Sequence, residues 1–101
     1  DKGIERMRAE FEKRKDYIVK AINEIDGLSC YEPDGAFYVF INIKKISNDS
    51  MKFCADLLEQ KGVALVPGLA FGMEGYARFS FATSLEVIKE GVKRIKEFTQ
   101  K

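Results

Sequence analysis

The chain has 101 residues, 46% of them apolar and 33% charged, with 17 Lys and Arg against 16 Asp and Glu. That length and apolar share fit one globular domain, and a net charge of +1 lacks the overall field of a nucleic-acid or membrane-surface binder. The sequence contains no histidine, which excludes histidine general bases, histidine-based triads and histidine metal sites.

Ile4, Met7, Phe11, Ile18, Ile22 and Ile25 recur at helical steps and predict a helix over residues 4–25. Arg14 falls on this apolar stripe, which is either interrupted there or accommodates a snorkelling arginine. Gly27 is a stop signal. Residues 28–31 read as a short strand. Pro33, Asp34 and Gly35 form a turn, with φ fixed at the proline and free at the glycine. Residues 36–43 are the strongest strand, rich in aromatic and β-branched side chains. Alternation puts Phe37, Val39, Ile41 and Ile43 on one face and Ala36, Tyr38, Phe40 and Asn42 on the other.

Asn48, Asp49 and Ser50 supply N-cap chemistry for a second helix. Its buried face is expected to comprise Phe53, Cys54, Leu57 and Leu58, with Gly62 closing it. A strand follows at 63–66, then a loop with Pro67, Gly68, Gly72 and Gly75, then a strand at 76–82. Thr83 and Glu86 match a capping box. Leu85, Ile88, Val92 and Ile95 form the stripe of the last helix, which Gly91 weakens slightly. The order α-β-β-α-β-β-α predicts an α/β two-layer sandwich, a small sheet with helices on one face. The stretch 36–66 would be a right-handed crossover if its strands lie parallel in one sheet.

No apolar run has the length of a membrane span, and no signal-peptide pattern opens the sequence. The chain starts at Asp1, inside a charged helix, so it is expected to be one domain cut from a longer protein. Cys30 and Cys54 are too few for a four-cysteine metal site or a disulfide framework. Cys54 lies in an apolar helical run and reads as a small core residue. A reducing, cytoplasmic setting fits this cysteine usage.

The glycines at 68, 72 and 75 match neither the P-loop nor the dinucleotide fingerprint, so they read as loop geometry. Gly72-Met73-Glu74-Gly75 has the form of an RNA clamp but carries an acid and precedes a strand. The aromatic run 34–40 lacks the leading basic residue of an RNA-recognition strand, and its aromatics read as core. Arg78 is the most informative residue. Alternation sends Ala77, Phe79 and Phe81 to one face, and Arg78 to the other with Tyr76 and Ser80. There it is either an ordinary exposed strand arginine or an anion receptor. A guanidinium holds a carboxylate bidentately in a planar match that lysine lacks.

Pro33-Asp34-Gly35-Ala36-Phe37-Tyr38, Val66-Pro67-Gly68, Phe71-Gly72, Gly75 and Arg78-Phe79-Ser80-Phe81-Ala82 follow a helix that contains residues 11–17. In this order and spacing they resemble the C-terminal small domain of class I/II pyridoxal-phosphate-dependent aminotransferases, the aspartate aminotransferase superfamily of fold type I. The resemblance covers nearly the whole chain. It implies an enzyme that exchanges an amino group between an amino acid and a 2-oxo acid, with pyridoxal 5'-phosphate as cofactor. By position it makes Arg78 the residue that binds the substrate α-carboxylate, and it places Gly35, Ala36 and Phe37 beside the substrate. The Schiff-base lysine, the aspartate at the pyridinium nitrogen and the phosphate cup belong, in that family, to a large domain. The resemblance therefore implies no catalytic or cofactor-binding residue in this chain, no activity of the chain alone, a large-domain partner and a homodimeric parent. Two rivals stand beside it: a lyase, synthase or regulator on the same scaffold, and a free-standing small-molecule or RNA-binding module.

Overall fold

A computed structural model describes residues 2–31 and 37–100. The turn expected at Pro33–Gly35, the candidate site residues Gly35 and Ala36, and the side chains of Ile4 and Met7 lie outside what it describes. Three helices and four strands alternate in the expected order: α1 (Lys2–Asn23), β1 (Ser29–Tyr31), β2 (Tyr38–Asn42), α2 (Ser50–Lys61), β3 (Val66–Pro67), β4 (Tyr76–Ser80) and α3 (Leu85–Thr99), with a 3-10 turn at Gly68–Phe71. The sheet runs β1-β2-β4-β3 and every neighbouring pair is antiparallel. β2 and β3 therefore point the same way but never touch, because β4 lies between them. The expected crossover from 36 to 66 joins non-adjacent strands of an antiparallel sheet.

One core lies between sheet and helices. Ile18, Ile22 and Ile25 of the α1 region, Val39, Ile41 and Ile43, Phe53 and Leu57 of α2, Ala77, Phe79 and Phe81, and Ile88, Val92 and Ile95 of α3 are all buried in it. This is the two-layer arrangement that period-2 and period-3.6 patterns produce when each has one apolar face to cover. Leu58, expected in the buried face of α2, is 53% exposed. It stands one residue beyond Leu57, about 100° around the helix, and turns away from the layer. Arg14 neither breaks α1 nor joins its core stripe: its guanidinium lies over the Phe11 ring at 5.4 Å and reaches Glu10 at 3.8 Å.

Caps and bridges fix the element ends. Asp49 in extended conformation accepts the Lys52 N–H and caps α2, and Gly62 in the left-handed region closes it. At α3 the cap is Ser84, whose Oγ accepts the Val87 N–H at 3.3 Å. The expected Thr83–Glu86 capping box is therefore displaced by one residue, and Glu86 falls within the first turn, where its charge favours the helix dipole. Asn23, the last residue of α1, accepts the Cys30 N–H at 2.9 Å and donates to the Cys30 carbonyl at 3.4 Å. A side-chain amide thus takes the place of a strand partner at the edge of β1.

The glycine-rich loop is held from both ends. Glu74 accepts the Ser50 N–H at 2.7 Å and the Ser50 hydroxyl at 2.6 Å, which places a carboxylate on the N-terminus of α2. Ser50 Oγ also accepts the Leu69 N–H at 3.2 Å. A Cβ on Gly68 would run into the carbonyl oxygens of Met73 and Tyr76, so only glycine lets the loop close here.

Candidate functional site

The sheet face away from the helices carries the site. β4 is a central strand, with β2 on one side and β3 on the other, so its side chains are positioned by pairing on both edges. Arg78 projects from the middle of β4, opposite Phe40 of β2 and Val66 of β3. Alternation leaves Tyr76 and Arg78 on this face while Ala77 and Phe79 enter the core.

Around Arg78 stands a second, smaller aromatic cluster, separate from the main core. Phe40 is buried, although it is not a member of that core. Its ring lies 5.6 Å from Tyr31, 5.4 Å from Tyr38 and 5.5 Å from Phe71. Tyr31 also meets Tyr76 edge to face at 6.1 Å. The Arg78 guanidinium carbon sits 4.8 Å from the Tyr38 ring centroid and 5.4 Å from that of Phe71. Both distances are within cation–π range. Among the described residues no acidic side chain pairs with Arg78 and no carbonyl accepts from it. A half-buried guanidinium flanked by two rings and without an acidic partner has the chemistry of a carboxylate or phosphate receptor.

Phe37 does not join this cluster. Its ring is 4.7 Å from Phe11 of α1, and it is 52% exposed at the end of β2. Its carbonyl accepts the Phe81 N–H at 2.9 Å and, at 3.5 Å, the Ser80 hydroxyl. Parity explains the separation, since Phe37 and Tyr38 are neighbours and point to opposite faces. The structure therefore brings Tyr38, Phe40 and Phe71 to Arg78, and leaves Phe37 on the helix side. Tyr38 and Phe71 were not singled out from sequence as site residues. Laying the outward face of β2 beside that of β4 exposes Tyr38, but Phe71 requires the fold of the loop.

Neither cysteine is a nucleophile here. Burial pushes the Cys30 thiol up to about 12 and, with the nearby Glu74 charge, the Cys54 thiol up to about 11, so both stay protonated at neutral pH. Among the described residues no cluster of cysteine, aspartate and glutamate could hold a metal ion. None of the described helices is long and apolar enough to cross a membrane.

A family model described as aminotransferase class I and II matches residues 1–95. The chain belongs to this family. It is 47% identical over 88 residues to an aspartate aminotransferase of Thermotoga maritima, a match that covers 87% of this chain and 22% of that protein. With an aspartate aminotransferase of Bacillus subtilis it shares 43% identity over 103 residues, covering 97% of this chain and 26% of the relative. A solved structure of an aromatic aminotransferase from Pyrococcus horikoshii superimposes with a TM-score of 0.91 at 40% identity, over 98% of this chain and 27% of that one. The chain thus spans about a quarter of the length of these aminotransferases.

Proposed function

We propose that residues 1–101 form the C-terminal small domain of a pyridoxal-phosphate-dependent aminotransferase, in which Arg78 binds the substrate α-carboxylate. The parent moves an amino group between an amino acid and a 2-oxo acid, as a cytoplasmic homodimer. The observation that carries this reading is the state of Arg78: fixed on a central strand, with rings against it and no acidic partner among the described residues. Every substrate of such a reaction, amino acid or oxo acid, presents one planar carboxylate beside the reacting carbon. A bidentate pair with Arg78 anchors that group and orients the carbon. Surrounding aromatic rings exclude water from the pair and strengthen it. Relatives named for aspartate and aromatic amino acids support a substrate of this class.

Phe37, with Gly35 and Ala36 ahead of it, lines the boundary of the pocket in this reading. The cofactor, when bound, supplies the electron sink that lets bonds at the α-carbon break. Lys44, at the rim of the aromatic face, places its ammonium 5.0 Å from the Tyr76 ring centroid. In this reading the Schiff-base lysine and the phosphate cup belong to the large domain, and the chain by itself is expected to have no transaminase activity. That domain also covers the outward sheet face.

The test is Arg78→Ala in the full-length enzyme. Removing one partner of a desolvated charge pair costs roughly 2–5 kcal/mol, so kcat/KM should fall about 100-fold or more while the thermal transition moves little. A variant with near-wild-type kcat/KM would remove Arg78 from the role.

A further inference from the structure

The geometry points to Tyr38 and Phe71 as positioning residues that bracket the Arg78 guanidinium and set the edge it offers to a carboxylate. The inference rests on the reading of Arg78 given above and adds the two residues that make it competent.

A guanidinium has two weakly hydrated faces and a rim of five N–H donors. An acidic neighbour would occupy the rim and compete with a ligand. A ring neighbour leaves the donors without a charged competitor. Arg78 has rings for neighbours and no acidic partner among the described residues: one ring comes from β2 and one from the 3-10 turn, at 4.8 and 5.4 Å. Neither ring stands alone. Phe40, opposite Arg78 in the strand register, packs on Tyr38 at 5.4 Å and on Phe71 at 5.5 Å. The buried Phe40 thus ties the two rings to each other as well as to the strand. The 3-10 turn that carries Phe71 is itself pinned by the Leu69 N–H to Ser50 and by the close packing of Gly68. A free arginine side chain loses rotamer freedom when it is fixed. The bracket takes that loss during folding, before any ligand arrives, and so lowers the cost of binding. The bracket acts only through the carboxylate, and this separates it from a packing role.

The experiment measures single turnovers of the full-length holoenzyme, followed by cofactor absorbance, with L-alanine and with ethylamine, which lacks the carboxylate. The variants are Arg78→Leu, Tyr38→Leu, Phe71→Leu and Tyr38→Phe. Arg78→Leu should slow L-alanine about 100-fold. Tyr38→Leu and Phe71→Leu should each slow it about tenfold, mainly through apparent affinity. Tyr38→Phe, which keeps the ring, should stay within about twofold of wild type. The leucine variants should slow ethylamine less than they slow L-alanine, so that the L-alanine-to-ethylamine ratio falls about 100-fold for Arg78→Leu and about tenfold for Tyr38→Leu and Phe71→Leu. Equal losses with both amines in the leucine variants would overturn the bracket in favour of simple packing. Wild-type rates in those variants, beside a slow Arg78→Leu, would overturn the bracket and leave the carboxylate reading intact. A wild-type rate in Arg78→Leu would overturn both. If a leucine variant does not fold, Tyr38→Met and Phe71→Met make the same comparison with similar volume and no π face.

Discussion

At Ser50 three segments of the chain meet on one small side chain. It is fully buried, its hydroxyl donates to Glu74 at 2.6 Å and accepts from the Leu69 N–H at 3.2 Å, and its own N–H donates to Glu74 at 2.7 Å. Ser50→Ala keeps the backbone bond but leaves the Leu69 N–H and one carboxylate oxygen without this partner. A polar group stranded in this way costs about 1–3 kcal/mol, so the urea midpoint of Ser50→Ala should fall accordingly, with an unchanged m-value. An unchanged midpoint would mean that water replaces both bonds. The loop that this hydroxyl holds is also the loop that brings Phe71 to Arg78, so stability and site geometry share one residue here.

At the scale of elements, the helix caps separate two neighbouring hydroxyls. Ser84 caps α3 and Thr83 does not. Ser84→Ala should therefore destabilise by about 1 kcal/mol, and Thr83→Ala should stay within about 0.5 kcal/mol of wild type. Equal effects in thermal denaturation would return the cap to Thr83. The ambiguity is physical: both residues have the required oxygen, and which one adopts the extended backbone depends on where β4 releases the chain. The helices and strands themselves were legible because each has to cover one apolar face. Ile18 and Ile22 state a helical period, and Val39, Ile41 and Ile43 a strand period, in the letters alone. Arg78 was legible for the same reason, as a charge at an outward position of an apolar strand. The strand order was not, because β4 reaches β2 across 34 or more residues and nothing local names the partner. Glu74 was hidden by the same distance, since a carboxylate that caps a helix 24 residues away leaves no local pattern. Tyr38 needed the β2–β4 register, and Phe71 needed the folded loop.

The whole molecule has two layers and therefore one sheet face that its own helices do not cover. That face carries Tyr31, Tyr38, Phe71 and Tyr76 around Phe40, with Tyr31 46% exposed. A contiguous aromatic surface of this kind marks an interaction surface, which the proposed function gives to a large domain. The 101-residue chain produced by itself should associate reversibly as its concentration rises, and Tyr31→Lys should weaken that association. Sedimentation equilibrium gives the answer, and a strictly monomeric chain up to high concentration would contradict it.

The position of β4 also governs the order of events during synthesis. The strand that carries Arg78 is the last of the four to leave a ribosome, yet it occupies an interior place in the sheet. Until about residue 80 has emerged, β2 has only β1 to pair with, and β3 has no partner. The nascent chain therefore waits with an open strand edge, a state prone to wrong pairing. The same late step that closes this edge sets the arginine among its rings, so the domain becomes safe from mispairing and complete as a site at one moment.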